Sequence, residues 1–318
     1  MYNKQEFFTA KQSFDIYYNN EIRPKLEELE KTRKKYLKVF CMLCIFVTSW
    51  IVYIIKNFKN LENLPQGIEF ISCILVLIAC LPMLSYYIKT KSSLLYLLAN
   101  FFGEFSYNYN YQNQENILEK SKIFDKNNIM KTDDEFCGTY KNVSLCIREY
   151  TLYKRVNNQT GTNNYFVNEA INKSNKMYNG IIFYASMNKK FKGQTIIVKD
   201  KGFLNKLVSY NKLKRVGLES TEFEKSYEVY SDDQIEARFL LTSVMLEYLI
   251  KLKRKFNKIE LSFFDNHVFI NIKTKKNMFE CSSFFTTIIN KKRIEKVFEE
   301  LYLIISIVDT LRINQDKS

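Results

Sequence analysis

Residues 39–55, VFCMLCIFVTSWIVYII, and residues 70–88, FISCILVLIACLPMLSYYI, decide how this chain is read. Neither run holds a charged side chain, and a short polar link with Pro65 and Gly67 separates them. At about 1.5 Å of rise per residue the two runs reach roughly 26 and 28 Å as helices, close to the ~30 Å hydrocarbon core of a bilayer. The expected product is a transmembrane helical hairpin. Tyr36 precedes the first run, Trp50 and Tyr53 lie near its far end, and Tyr86 and Tyr87 close the second. Those are the depths at which amphipathic rings settle.

Charge sets the expected orientation. Lys31, Arg33, Lys34, Lys35 and Lys38 crowd the N-terminal flank and Lys89 and Lys91 follow the second run, whereas Lys56 and Lys59 in the link are offset by Glu62 and Glu69. The positive-inside rule then puts both termini in the cytoplasm of an inner (plasma) membrane. A buried hairpin in a large soluble core is the competing reading. A cleaved signal peptide fits poorly, because the first run starts late, is long and is followed by no small-residue cleavage site.

Three segments follow: an N-terminal cytoplasmic helix over 1–38, the hairpin over 39–88, and a cytoplasmic α+β domain over 89–318 with a mainly antiparallel sheet and packed helices. Leu26, Leu29, Arg33, Tyr36 and Phe40 recur at helical steps after Pro24, so the first helix runs into the first span without a break. That stripe is also a possible seam for self-association. The formal charge of +14 divides as +3, zero and +11 over the three segments. Lys, Asn, Ile, Tyr and Phe are all abundant while Gly, Pro and Trp are scarce. A drift in composition across the whole chain explains the basicity, and specific nucleic-acid binding is not expected. The seven cysteines include Cys41, Cys44, Cys73 and Cys80 inside the apolar runs, and with a cytoplasmic domain Cys137, Cys146 and Cys281 are expected to be free thiols.

Within the domain, Phe105, Tyr107, Tyr109 and Tyr111 alternate with polar residues as in a half-buried strand, and a polar helix is expected over Asn113–Lys131. Asp133, Asp134 and Glu135 read as an acidic loop before a hairpin of Phe136–Lys141 and Val143–Val156, turned at Asn142. Residues 157–176 are rich in Asn, Thr and Lys and read as a long exposed loop. Strands over Gly180–Met187 and Thr195–Val198 are expected to form a hairpin through a basic turn in which Lys190, Phe191 and Lys192 could face lipid headgroups. Further strands are expected at Lys214–Glu219 and Lys225–Tyr230. Ser231 with Gln234 reads as a capping box for a helix over Asp232–Leu240, and Thr242 caps the next, ending near Phe256. Ile259–Phe264 and Val268–Ile272 bracket the turn Asp265-Asn266-His267. An amphipathic helix over Asn290–Leu311 closes the chain.

Catalytic signatures are sparse. The single histidine, His267, sits in a turn with no nucleophile near it in sequence, the cysteines lack metal spacing, and neither a P-loop nor a dinucleotide fingerprint occurs. No catalytic residue, cofactor or metal is assigned. The group that could hold a divalent cation is Asp232, Asp233 and Glu236 with Arg238 nearby, although acids at a helix N-terminus are also what the helix dipole favours.

A longer signature lies across the same region. FEK at 223–225 leading to VYSDDQIEARFLLT at 229–242, with CGTYK at 137–141, NKKFKG at 188–193 and SFFDN at 262–266, resembles DUF3137, a family of uncharacterised bacterial membrane proteins. Ser243 departs from it, standing where the family tends to place proline. The resemblance implies a cytoplasmic α+β domain tethered by two spans, with Ser231 and Gln234 as a cap, Tyr230 and Phe239 as core aromatics, and Glu236 and Arg238 as a local pair. It implies no activity. The expected function is a membrane-anchored, non-enzymatic binding or scaffold protein with an unidentified protein partner, homo-oligomerisation remaining possible. The alternatives are a metal-assisted hydrolase built on the acidic cluster and a sensor of anionic lipid.

Overall fold

The computed structural model describes residues 4–57, 67–109, 115–124, 128–154, 175–188, 190–200, 213–256, 258–274 and 284–315. Pro65, Lys189, Cys281 and nearly all of the Asn-rich stretch at 157–176 lie outside these. The chain divides into two compact units: residues 9–101 with 280–296, and residues 102–279 with 297–318 and the first eight.

The first unit is helical. α1 (Lys4–Tyr17) passes through one π-helical turn (Tyr18–Ile22) into α2 (Arg23–Asn57), and α3 (Ile68–Asn100) returns beside it. α2 and α3 are each long and apolar enough to cross a membrane. Met42, Ile45, Phe46, Phe70, Leu77 and Leu81 point outward along them, as lipid-facing side chains would. Trp50 Nε1 donates to Ser72 Oγ at 3.2 Å and ties the two helices together. Before the apolar run the packing changes character. Phe14, Leu26 and Leu29 are buried, Phe14 meets Phe101 edge-on at 5.4 Å, and Tyr17 Oη donates to the Leu97 carbonyl at 3.0 Å.

Glu30 and Arg33, each only 7% exposed, form an ion pair of 2.7 Å one turn apart on α2. Arg33 Nη1 also donates to the Phe284 carbonyl (2.9 Å), and Glu30 Oε2 accepts the Ile288 N–H (3.1 Å). Arg33 beside it holds the Glu30 carboxyl below its ordinary range despite burial. The pair therefore satisfies its own charges and two backbone groups of a distant segment, which is what makes two buried charges tolerable.

Among the described residues the second unit holds a nine-stranded, wholly antiparallel sheet in the order β1-β2-β3-β4-β9-β8-β5-β7-β6. The strands are β1 (Glu104–Tyr109), β2 (Asn128–Tyr140), β3 (Val143–Lys154), β4 (Lys176–Ser186), β5 (Thr195–Lys199), β6 (Lys214–Val216), β7 (Tyr227–Ser231), β8 (Lys258–Phe264) and β9 (His267–Thr274). α4 (Glu115–Ser121) follows β1, α5 (Thr221–Glu224) precedes β7, and α6 (Gln234–Leu240) and α7 (Ser243–Phe256) lie between β7 and β8. α8 (Lys291–Ile305) and α9 (Ile307–Gln315) close the chain as two helices broken at Ser306. α7 packs on β8 and β9, and its buried Tyr248 donates to the Leu303 carbonyl of α8 at 2.6 Å. The opposite face buries Tyr150, Leu152, Ile182, Tyr184, Phe264 and Phe269, with Leu118 of α4 and Phe124 set against them.

Several expectations change. β4 and β5 do not form a hairpin: the β8–β9 pair stands between them, β9 against β4 and β8 against β5. Val268–Ile272 is buried at every position, so β9 must sit between neighbours with both faces covered. Among the described residues of the expected polar helix only Glu115–Ser121 is helical, and Asp133 to Glu135 lie inside β2 rather than in a loop before it. Cys137 and Cys146 are joined by a disulfide instead of being free thiols. They are direct partners across the β2–β3 hairpin, Cα atoms 4.1 Å apart, a proximity that an argument from compartment does not see. The hairpin itself is as expected, with Lys141 and Asn142 at positive φ in a two-residue turn.

Candidate functional site

The acidic residues of the 229–242 signature and the basic turn at 190–192 come together in the sheet unit. β7 ends at Ser231, and the helix N-cap is Asp233, not Ser231: its carboxylate accepts the N–H groups of Ile235 (3.0 Å) and Glu236 (2.9 Å). Ser231 Oγ instead braces the turn, accepting the Asp233 N–H at 3.1 Å and lying 3.0 Å from Thr195 Oγ1 on the paired strand. Glu236 reaches across with both oxygens to the N–H groups of Lys192 and Gly193, each at 2.9 Å, and Asp232 Oδ1 accepts the N–H of Gln194 at 2.6 Å. Gly193 is required by this approach, because a Cβ there would stand 2.2 Å from Asp232 Oδ1. The three carboxylates thus accept five backbone N–H groups, and a cation bound there would have to displace them.

This clasp fixes what the surface offers. Phe191 turns inward, packing edge-on against Phe263 at 5.6 Å, while Lys190 and Lys192 stay exposed on either side. On α6 the outward positions are Ile235, 82% exposed, and Phe239, 45% exposed, with Arg238 exposed between them. Phe239 is therefore a surface residue, not the core aromatic that the resemblance implied. α6 lies beside the edge strand β6, whose Lys214 and Arg215 are exposed, and Arg215 sits 3.7 Å from Glu228.

A second acidic group was not legible as one. The register of β2 against β3 slips between Thr132 and Glu135, so that Asp133 and Asp134 together oppose Glu149. A bulge of this kind places two side chains against one. Asp133, Asp134 and Glu149 then bring carboxylate oxygens within 4.8 Å of one another, Asp134 and Glu149 being buried. Tyr107 donates to Asp134 Oδ1 at 2.5 Å, and the neighbouring Glu135 and Arg148 form a buried ion pair. Three carboxylates so placed can share a divalent cation. Asp133 and Glu149 line a shallow depression with Thr151, Asn179 and Thr274. The aspartate pair is visible in the sequence, but only the slip in register recruits Glu149.

Behind that depression runs a buried polar chain. Tyr150 Oη donates to Asn271 Oδ1 (2.5 Å), Asn271 Nδ2 to Glu260 Oε2 (2.9 Å), and Lys273 Nζ to Glu260 Oε1 (2.8 Å). Burial raises the Tyr150 phenol well above its ordinary value. Burial alone would lower Lys273, but Glu260 and Tyr178 beside it hold the ammonium above its ordinary value. The Tyr150 phenol and the Lys273 ammonium are thereby held in their ordinary neutral and charged forms, and the chain braces β3, β8 and β9 against one another. His267 at the β8–β9 turn lies 3.2 Å from Ser186 Oγ, and burial lowers its imidazole against the opposing pull of Asp265.

Comparison with known proteins adds a family and one distant structure. No curated protein matches the chain. The crystal structure of the mycobacterial trehalose monomycolate transport factor A, TtfA, is similar over 67% of this chain and 95% of its own, at 10% identity and a TM-score of 0.32. The model of DUF3137, described as a protein of unknown function, matches residues 176–313, a region that contains the clasp, α6 and the β8–β9 hairpin. Over those residues the chain is similar to the DUF3137 family.

Proposed function

We propose that the protein is a membrane-anchored, non-enzymatic docking module, in which α2 and α3 span the bilayer and the face of α6 receives a partner protein. The observation that carries this reading is the outward pair Ile235 and Phe239 on a helix that the clasp holds rigid. Burying a large apolar side chain is worth about 1.5–3 kcal/mol relative to leaving it in water, so two of them at one spot offer a binding hot spot. Lys190, Lys192, Arg238 and Lys214 are exposed on the same unit, while Asp232, Asp233 and Glu236 are committed to backbone N–H groups. The matching partner surface is an apolar segment flanked by acidic residues.

A photo-crosslinking side chain at position 235 or 239, in the full chain in native membranes, should give one discrete protein adduct. The same group at exposed Glu247 on α7 should not. Phe239→Asp, combined with the crosslinker at 235, should abolish the adduct while leaving thermal unfolding unchanged. Adducts to lipid alone, or none at either position, would count for the lipid-sensing alternative or against docking altogether.

A further inference from the structure

The helical unit carries an apolar segment that the two spans do not account for. Residues 284–289, FFTTII, form no helix or strand and end at Asn290, whose side chain caps α8 by accepting the Arg293 N–H at 3.2 Å. Phe284 is fully buried, its ring 5.5 Å from both Phe40 and Tyr86. Phe40 is the second residue of the first apolar run and Tyr86 closes the second, so the segment is pinned where both runs meet their basic flanks. Phe285 and Ile289 stay 62% and 40% exposed, Phe285 lying 6.0 Å from Phe40. Lys34, Lys35, Lys38, Lys89 and Lys292 are exposed on the same unit.

Position is enforced from below by the ion pair on α2. Arg33 holds the Phe284 carbonyl and Glu30 holds the Ile288 N–H, so both ends of the segment are fastened to a helix that continues directly into the first run. Exposed aromatic and branched side chains at the end of a hydrophobic span, on a unit that also exposes several lysines, match the composition of a membrane interface.

We infer that residues 284–289 are a third membrane contact, an interfacial anchor that sets Phe285 and Ile289 into the headgroup–acyl boundary of an anionic bilayer. The inference rests on the reading of α2 and α3 as spans. Its consequence is that the chain is held to the membrane on both sides of the nine strands in sequence, before β1 and again after β9.

Trp50 is the chain's single tryptophan and lies inside the first run, which separates the two readings in one experiment. The full chain is reconstituted into vesicles of phosphatidylcholine and phosphatidylglycerol carrying brominated acyl chains, with bromines either near the headgroup or near the chain end. Quenching of native Trp50 reports the span. In a Trp50→Phe background, Phe285→Trp and, separately, Ile289→Trp report the anchor. Burial about 5–10 Å into the boundary predicts quenching roughly twofold stronger by shallow than by deep bromines for both. If Trp50 is quenched while both introduced tryptophans emit at long wavelength and are unquenched, the anchor is refuted and the spans stand. Blue-shifted but unquenched emission means that a protein surface, such as a second copy, covers the segment, and it also refutes the anchor. If Trp50 escapes quenching, the spans fall and the anchor with them.

Discussion

Replacing Gly193 with alanine tests whether the 190–194 loop is held by the carboxylates of the clasp. Gly193 is not among the described glycines at positive φ, so space alone decides what a methyl group meets. Its Cβ would stand 2.2 Å from Asp232 Oδ1 and 3.1 Å from Asp233 Cβ. Asp232 can step aside only by releasing the Gln194 N–H, which it holds at 2.6 Å. Moving the loop instead would break both Glu236 bonds, so the aspartate is the group that yields. A hydrogen bond to a charged group contributes about 1.5–3 kcal/mol, and exposure of Asp232 sets the loss near the lower end, about 1.5–2 kcal/mol. Asp232→Ala removes the bond and the obstacle together. Gly193→Ala should then cost less than about 0.5 kcal/mol more, a coupling of about 1–1.5 kcal/mol between the two positions. Followed by far-ultraviolet circular dichroism of the full chain in detergent, Gly193→Ala should lower Tm by about 3–8 °C alone and by at most about 2 °C in the Asp232→Ala background. Equal losses in both backgrounds would refute the clasp.

Two further outcomes follow from buried charge. Arg33→Met leaves the Glu30 carboxylate buried without its counter-charge, which should cost about 3–5 kcal/mol and expose the Phe284–Phe285 bonds to chymotrypsin. Adding Glu30→Gln should restore about half of the protection, because the amide oxygen still accepts the Ile288 N–H. His267 has a folded pKa below its unfolded value near 6.5, so the unfolded chain binds the proton more readily. Stability is therefore full above about pH 6.5 and declines as pH falls through the folded value. His267→Asn should flatten denaturant midpoints measured between pH 7 and pH 5, and an unchanged slope would show that other groups carry it.

The elements whose signal is local were legible beforehand. α2 running unbroken from Arg23 into the first apolar run, the β2–β3 hairpin with its turn at Asn142, α7 ending in basic residues at Phe256, and the β8–β9 hairpin all follow from hydrophobic period, turn residues and helix polarity over ten to twenty neighbours. The misreadings cluster where the deciding interaction is distant. Ser231 with Gln234 has the spacing of a capping box, but Thr195 on the paired strand engages the serine, and the N-cap passes to Asp233. The resemblance implied a core aromatic at Phe239, yet the short α6 buries Ala237 and Leu240 and turns Phe239 out.

Sequence alone thus determined many of the helices and strands, that two helices are long and apolar enough for a bilayer, and that residues 176–313 are similar to DUF3137. Those depend on neighbours along the chain. Only tertiary structure decided that β8 and β9 separate β4 from β5, that Glu236 reaches forty-odd residues back to the loop at 192–193, and that Glu149 joins Asp133 and Asp134. Register, strand order and the meeting of distant carboxylates are set by which packing buries the most apolar surface while satisfying every backbone group, a property of the whole sheet that no local window contains.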